Sequence, residues 1–307
     1  MKALCIGRSI YNTNIFVDSF LPEGASVVFN DISQSISGFA AICSYLLGKY
    51  TFESYIASGI GDDSNGNGLK KVLEKANVHT EYIETFYEKK TITSNTFINK
   101  ISKKSTVLTI EQEKLNLKKN DFLLVPDIIL TDGYDYSCSL TAFNKYPKAK
   151  AIFFATFCNS ETLELAKYAK YIVATQEFCE YVSGIKMNFA TPQTLVDSYM
   201  KLIKKFQEKT VVVSLKEKGT LYIKDNQIKV LPALKLEIVD NASCDDVFAS
   251  AFGLAIAYNY EIEKAVTFAS IASSVYSSKK GMEAFDDLST INTYFNQKYP
   301  KTSNDNQ

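Results

Sequence analysis

The sequence predicts an α/β fold: a three-layer sandwich with a largely parallel sheet between helices, plus a small antiparallel β lid. Two observations carry the core of this. Short runs rich in Ile, Val and Phe alternate with longer helical patterns from about residue 122 to 279. These runs are apolar on both faces of a strand, as in a parallel sheet covered on each side. A third observation gives the lid. "TEYIETF", "KTITSNTFI" and "STVLTI", between residues 80 and 110, alternate in polarity and suit a more exposed antiparallel sheet.

In chain order, "MKALCIG" reads as a short buried strand ending in glycine, and "SGFAAICSYLLGKY" as a helix with one small and one apolar face. "TFESYIASGIG" returns to a strand, and "SNGNGLKKVLEKANV" is an amphipathic helix. The lone histidine, His79, falls in the connection after that helix and reads as a loop residue. The aspartates of "GIGDD", Asp62 and Asp63, organise a turn. After the lid segments, "FLLVPDIILTDG", "AKAIFFATF" and "YIVAT" are strands, each followed by a helix. A helix at 192–207 precedes the strands of "TVVVSLKEKGTLYIKDNQIKVLPA", and apolar helices follow at about 243–258 and 261–279. Residues 1–300 form a single domain on this reading, with lid strands near 10–35 and 90–110 and a polar, disordered tail at 301–307. No internal repeat is present.

Composition limits the function classes. The chain has 307 residues, net charge +0 and 46% apolar residues, which favours a large core and gives no electrostatic case for nucleic acid or an anionic membrane. Among 34 basic residues, Arg8 is the only arginine, so a phosphate site built from arginine forks is close to excluded. An anion site must then use lysine, backbone N–H groups or a metal. The six cysteines are scattered without a C-x-x-C pair and read as core residues. No signal peptide or spanning run stands out, so a cytoplasmic protein is expected. A single histidine leaves no His-clustered metal site, and no residue is assigned to metal.

Six segments, in order, resemble the ribokinase-like carbohydrate kinases, the PfkB family, over about residues 2 to 290. They are "CIGRSIYNTNIFVDSFLPEG", "SGFAAICSYLLGK", "GIGDDSNGNGLKKVLEKANV", "TVVVSLKEKGTLY", "VDNASCDDVFASAF" and "AVTFASIASSVYSSKKG". The fifth occupies the place of the family signature D-T-x-G-A-G-D-x-F. The resemblance implies phosphoryl transfer from ATP, with Mg2+, to a hydroxyl of a sugar or sugar-like substrate. It implies that Asp246 is the catalytic base and that Ser243, Cys244 and Asp245 stand where Gly-Ala-Gly forms the anion hole. Ser214, Lys216, Gly219, Ala272 and Val275 would flank the nucleotide, and Asn12, Ser37, Gly38 and Ile42 the sugar. A helix N-terminus suits these roles because its free N–H groups and partial positive charge face an anion.

The departures from the family pattern matter as much. Glycine serves where a backbone approaches phosphate closely or takes positive φ, and Ser243 and Asp245 both carry a Cβ. Asp245 adds a charge near the transferred phosphate. At roughly 5 Å and an effective dielectric near 20 the repulsion is about 3 kcal/mol, on the order of a hundredfold in rate. Lys216 replaces a glycine and its ammonium could offset that charge. Asn12 replaces an aspartate, Ile42 an asparagine, and Thr175 and Phe178 stand at the ends of the magnesium-linked N-x-x-E motif. Asn12 and Ile42 argue for a less polar acceptor, a fructosamine-type sugar among them. Two functions therefore stand: an active kinase, and an impaired relative that binds a sugar, nucleotide or protein without turnover. A lid of this kind could also pair two copies along its edge strands.

Overall fold

The computed structural model describes residues 1–50, 52–118, 121–281 and 288–300, so the tail expected at 301–307 lies outside the described residues. The first half of the chain contains β1 (Lys2–Ile6), β2 (Ile10–Val17), β3 (Ile32–Ser37), α1 (Phe39–Lys49), β4 (Glu53–Gly61), α2 (Ser64–Lys75) and β5 (Val78–Phe86). Then come β6 (Thr93–Asn99), β7 (Ser105–Ile110), β8 (Ile128–Thr131), α3 (Tyr136–Lys145), β9 (Lys150–Ala155), α4 (Ser160–Leu165) and β10 (Tyr171–Thr175). The remainder is α5 (Gln176–Ser183), α6 (Gln193–Lys205), β11 (Thr210–Ser214), β12 (Thr220–Lys224), β13 (Gln227–Leu231), α7 (Cys244–Ala257), α8 (Ile262–Ser277) and α9 (Leu288–Lys298).

The main sheet has the order β13-β12-β11-β10-β9-β8-β1-β4-β5. Its strands are parallel except for β12 and β13, which close one edge as antiparallel hairpins. Side-chain alternation sorts the strand residues to two cores: Ala3 and Cys5 of β1 join one, Leu4 and Ile6 the other. Helices α1, α2, α7, α8 and α9 cover the first face, and α3 to α6 the second. Helix α7 is buried along its whole length from Val247 to Ala257, so it lies between the sheet and its neighbouring helices rather than on the surface.

The small sheet has the order β3-β2-β6-β7. Its outer pairs are antiparallel, but the central pair, β2 with β6, is parallel. Of the three segments expected there, "TEYIETF" lies elsewhere. It forms β5, at the edge of the main sheet beside β4, where only one neighbour covers it and its alternation reflects that half-exposed position. His79 likewise sits within β5 rather than in a loop, stacked on the Tyr55 ring at 4.3 Å. Helix α9, which no sequence pattern above predicts, packs on the first face through Ile291 and Phe295. Asp63 does organise its turn: it caps α2 through Gly66 N–H (2.9 Å) and also accepts the Thr91 N–H (3.0 Å) and hydroxyl (2.6 Å).

A buried polar cluster fixes the register of the small sheet. The Asn12 amide is 4% exposed. Its Nδ2 donates to Asn14 Oδ1 (2.7 Å) and Ser35 Oγ (3.1 Å), and its Oδ1 accepts the hydroxyls of Ser94 (2.7 Å) and Thr96 (2.9 Å). All four of its side-chain positions are therefore engaged within the sheet, which ties β2 to both β3 and β6. Removing a buried amide of this kind leaves its partners unpaired. Asn12→Ala should lower stability by about 2–4 kcal/mol, measured as a reduced urea midpoint with an unchanged slope; an unchanged midpoint would show that the cluster is not structural.

Candidate active site

The site is built around the turn that starts α7. Asp240 is 1% exposed, and its Oδ1 accepts the Ala242 N–H at 2.9 Å; burial raises its carboxyl to about 6. The Ser277 carbonyl at the end of α8 accepts both the Val239 N–H (2.7 Å) and the Asp240 N–H (3.1 Å). Ser273 Oγ donates to the Cys244 carbonyl at 2.9 Å. These bonds lock the first turn of α7 against α8. Ser243 takes φ 62 and ψ 10, a left-handed conformation that glycine adopts without cost. The strain expected of the serine is therefore present. Asp245, already inside the helix, is not among the residues with positive φ, so the backbone there is unstrained.

Asp245 does not point freely at the anion hole. Its Oδ1 accepts the Ser214 hydroxyl at 2.7 Å, and its Oδ2 lies 3.8 Å from the Lys216 ammonium. Lys216 lies 3.6 Å from Glu177 as well, at φ 54 in the β11–β12 turn. Burial raises the Asp245 carboxyl, while Lys216 and Ser214 oppose that shift. Asp246, the next residue, differs in kind. Among the described residues nothing donates a hydrogen bond to its carboxylate. Burial raises it to about 7, reinforced by the charges of Asp245 and Asp132 and opposed by Arg8. One carboxylate of the pair is tied into the structure and the other is open.

On one side of α7 lies a cavity of about 220 Å³. Ser214, Lys216 and Thr220 form one wall, Leu234, Leu236 and Ile238 another, with Cys244 and Phe248 at the base. From α8 it receives Ser270, Ser273, Ser274 and Ser277. Ala272 and Val275, expected here, instead point into the hydrophobic core, 2% and 0% exposed. The correction is one of helix phase: the serines recur at i, i+3, i+4 and i+7, and the apolar residues occupy the opposite face. That spacing was the signal in the sequence. Gly219 turns the β11–β12 hairpin, where a Cβ would meet the Leu231 carbonyl oxygen at 2.2 Å, and does not line this cavity.

On the other side stand Arg8, Asp132 and Tyr134, at the carboxyl ends of β1 and β8. Asp132 accepts the backbone N–H of Tyr134 (2.9 Å) and of Arg8 (3.3 Å). Two glycines make the approach possible: a Cβ on Gly7 would lie 2.2 Å from Asp132 Oδ1, and one on Gly38 would lie 2.5 Å from the Arg8 carbonyl oxygen. Ser37, half-buried, leads into Gly38 at the start of α1. The other two expected sugar contacts are placed differently. Ile42 is 0% exposed inside the first core, and Asn12 is fully engaged in the small sheet. Neither meets an acceptor, so the argument from them for a less polar acceptor lapses. Sequence reasoning missed Arg8 and Asp132, although "IILTDG" placed an aspartate directly after a buried strand.

The sequence pattern of the pfkB family carbohydrate kinases matches residues 1–287. The chain belongs to that family. Among its curated relatives, the bifunctional protein HldE of Sulfurimonas denitrificans is 23% identical over 268 residues, covering 81% of this chain and 54% of that protein. The chain thus spans about half the length of the HldE relatives it matches. The ribokinase of Haemophilus influenzae is 21% identical over 241 residues, covering 74% of this chain and 76% of its own. A provisionally assigned ribokinase from Agrobacterium tumefaciens superposes with a TM-score of 0.88 over 98% of this chain and 99% of its own, at 18% identity. An Arabidopsis thaliana ribokinase complexed with ribose and ATP superposes with a TM-score of 0.75 over 96% of this chain and 98% of its own, at 14% identity.

Against the pfkB family signature, the turn of this chain keeps a glycine-like backbone while carrying a serine. Relieving a left-handed L-residue is worth about 1 kcal/mol. Ser243→Gly should therefore raise the thermal midpoint by a few degrees, read by calorimetry; a lowered midpoint would mean the serine side chain holds the turn.

Proposed function

We propose that the chain transfers the γ-phosphoryl group of ATP to a hydroxyl of a sugar-like acceptor, with Asp246 as general base. The observation that carries this is the place of Asp246. It lies in the first turn of α7, open at its carboxylate, with the serine-lined cavity on one side and Arg8, Asp132 and Gly38 on the other. Nucleotide in the cavity and acceptor beside Gly38 would meet at the N–H groups of the helix start, where developing phosphate charge is stabilised. Asp246 would accept the proton of the attacking hydroxyl, and Lys216 would reach the phosphates once its hold on Asp245 is shared with them. Structures of relatives hold ADP in one case and ribose with ATP in another, which supports the nucleotide assignment.

Magnesium fits less well as a protein-held ion. Among the described residues no cluster of three His, Cys, Asp or Glu side chains could hold a metal, and the Lys216 ammonium stands between Glu177 and Asp245. The Thr175 hydroxyl is engaged too, accepting the Phe178 N–H at 3.2 Å as it caps α5. Any magnesium would arrive on the nucleotide. No helix among the described residues is long and apolar enough to cross a membrane.

One observation favours the second function, binding without turnover: a carboxylate that accepts the Ser214 hydroxyl and lies 3.8 Å from the Lys216 ammonium occupies the first turn where phosphate would be stabilised. Steady-state kinetics with a verified acceptor separates the two. Asp246→Asn should abolish turnover with nucleotide affinity nearly unchanged, because the base acts in the transition state. Asp245→Gly should raise the rate, by up to about a hundredfold on the Coulomb estimate. A fall in rate would make Asp245 a working residue, and absence of turnover in every form would favour the binding function.

The pH dependence has a defined sign. The base must be ionised, so kcat/KM should fall about tenfold per pH unit below about 7. Stability runs the other way: a carboxyl raised in the folded state contributes stability below its ordinary value that is lost as pH rises through about 7. Asp246→Asn should therefore stabilise the fold more at pH 8 than at pH 5, measured by thermal midpoints; equal effects at both would refute the shift.

The lid provides a further element of this reading. Strand β7 is an open edge of the small sheet, with Val107, Leu108 and Ile110 about half exposed. We infer that a second copy covers it, because an apolar open edge invites pairing. Size-exclusion chromatography with light scattering should give twice the 34.3 kDa chain mass, and Leu108→Lys should reduce it to the monomer.

A further inference from the structure

We infer that Arg8 is a specificity-determining residue that binds an anionic group, a carboxylate or a phosphate monoester, carried by the acceptor. This rests on the kinase reading for the word acceptor. Its geometric basis is independent of that reading.

Arg8 is the single arginine of the chain. It follows Gly7 at the end of β1, is not among the residues lining the serine-rich cavity, and is near enough to Asp246 to oppose the rise of its carboxyl. Its backbone is held firmly: the N–H donates to Asp132 Oδ2 at 3.3 Å, and the carbonyl accepts the Ala40 N–H at 3.2 Å. The guanidinium is not. Among the described residues it makes no hydrogen bond, and its Nε is buried without a partner. Its one ion pair among the described residues, Nη1 to Glu111 Oε2, is 3.7 Å long, and its carbon lies 5.6 Å from the centre of the Tyr134 ring. A structural arginine–carboxylate pair closes at about 2.7–2.9 Å and is often bidentate. Here the fork is positioned, stacked and left open, with the side chain 36% exposed.

The charged groups around it do not close it either. Asp132 is committed to backbone N–H groups, and Glu111 accepts the Tyr134 hydroxyl at 2.5 Å. Asp246 is the group that needs to remain available to a substrate hydroxyl. Lys216, the cation in the β11–β12 turn, lies between Asp245 (3.8 Å) and Glu177 (3.6 Å), away from Arg8 in the chain. A buried unpartnered donor is rare in a native structure and calls for a ligand or water to satisfy it. A planar fork of five donors is matched best by two oxygens of one anion. Arginine is scarce in this chain, yet the one arginine present has the open fork that an anion fits.

The test uses the 307-residue chain and paired probes: ribose with ribose 5-phosphate, fructose with fructose 6-phosphate, and glucose with gluconate. Calorimetric titration is run with ADP present, and ADP alone is titrated separately. At least one phosphorylated or carboxylated sugar should bind about ten- to a hundredfold more tightly than its neutral partner. The phosphate and carboxylate arms distinguish the two anions. Arg8→Gln should remove that preference and Arg8→Lys should retain only part of it, both with ADP affinity within about twofold of the parent. Glu111→Gln should strengthen the preference, since it removes the competing carboxylate, and this decides the matter even if the Arg8 variants fail to fold. Absence of an anion preference in the parent overturns the inference, as does its persistence in Arg8→Gln. A loss of kcat in Arg8→Gln with unchanged sugar affinity also overturns it, placing the fork on the transferred group instead. Failure of ADP to bind would refute the kinase reading and leave the Arg8 result standing.

Discussion

The turn from Asp240 to Cys244 is the constraint on which the site depends. It leads an irregular segment into a helix start within five residues, and backbone groups on both sides of it are held by bonds to α8 and to its own aspartate. Ser277 O holds Val239 and Asp240, the Asp240 carboxylate holds Ala242, and Ser273 holds the Cys244 carbonyl. Ser243 supplies the left-handed step. With α7 buried along its length, the only free part of the helix is its N-terminus, and it emerges at the carboxyl edge of the parallel sheet. In such sheets the crevice beyond the strand ends is where ligands bind. The turn stands between the serine-lined cavity and the Arg8–Asp132 pair, the two places proposed above for nucleotide and acceptor.

Charge is then distributed about this division. Asp245, Asp246 and Asp132 place three carboxylates near one helix start, in surroundings dry enough to raise each of them. Two cations answer them, one per side: Lys216 beside Asp245 and Arg8 beside Asp132 and Asp246. The helix start itself adds partial positive charge. Because Asp245 is satisfied by Ser214 and Lys216, its repulsion on a phosphate is smaller than that of a bare charge, yet the lysine is partly consumed in achieving it. The acidic pair in "SCDDV" thus reflects two different environments one residue apart.

The small sheet contributes in two ways. Its buried amide–hydroxyl cluster gives β2 and β6 a unique parallel register, which pattern alone leaves open. It also touches both sides of the crevice. Ser105 Oγ donates to Asn241 Oδ1 at 3.0 Å, reaching the turn itself, and Glu111, just beyond β7, meets Arg8 and Tyr134. Lys280, after α8, pairs with Asp31 and lies 4.0 Å from the centre of the Phe16 ring. The small sheet is thus connected to the loops that carry Asn241, Arg8 and Lys280.

The sequence by itself determined the α/β class, the order of most elements and the family, because apolar periodicity and motif order are local properties of a chain. It also located the turn and the open aspartate, which lie in the signature, and the lysine opposite Asp245, which lies in the separate segment "TVVVSLKEKGTLY". Tertiary structure decided which face of each element meets the crevice. Ala272 and Val275 share α8 with the serines of the cavity, and only the placement of the helix tells the two faces apart. Ile42 and Asn12 sit at the expected positions but are sealed, one by the core and the other by four hydrogen bonds across three strands. Arg8 was visible as a composition count and nothing more. Its meaning comes from which donors find partners, and partners from β1, β7 and β8 come together only in the folded chain.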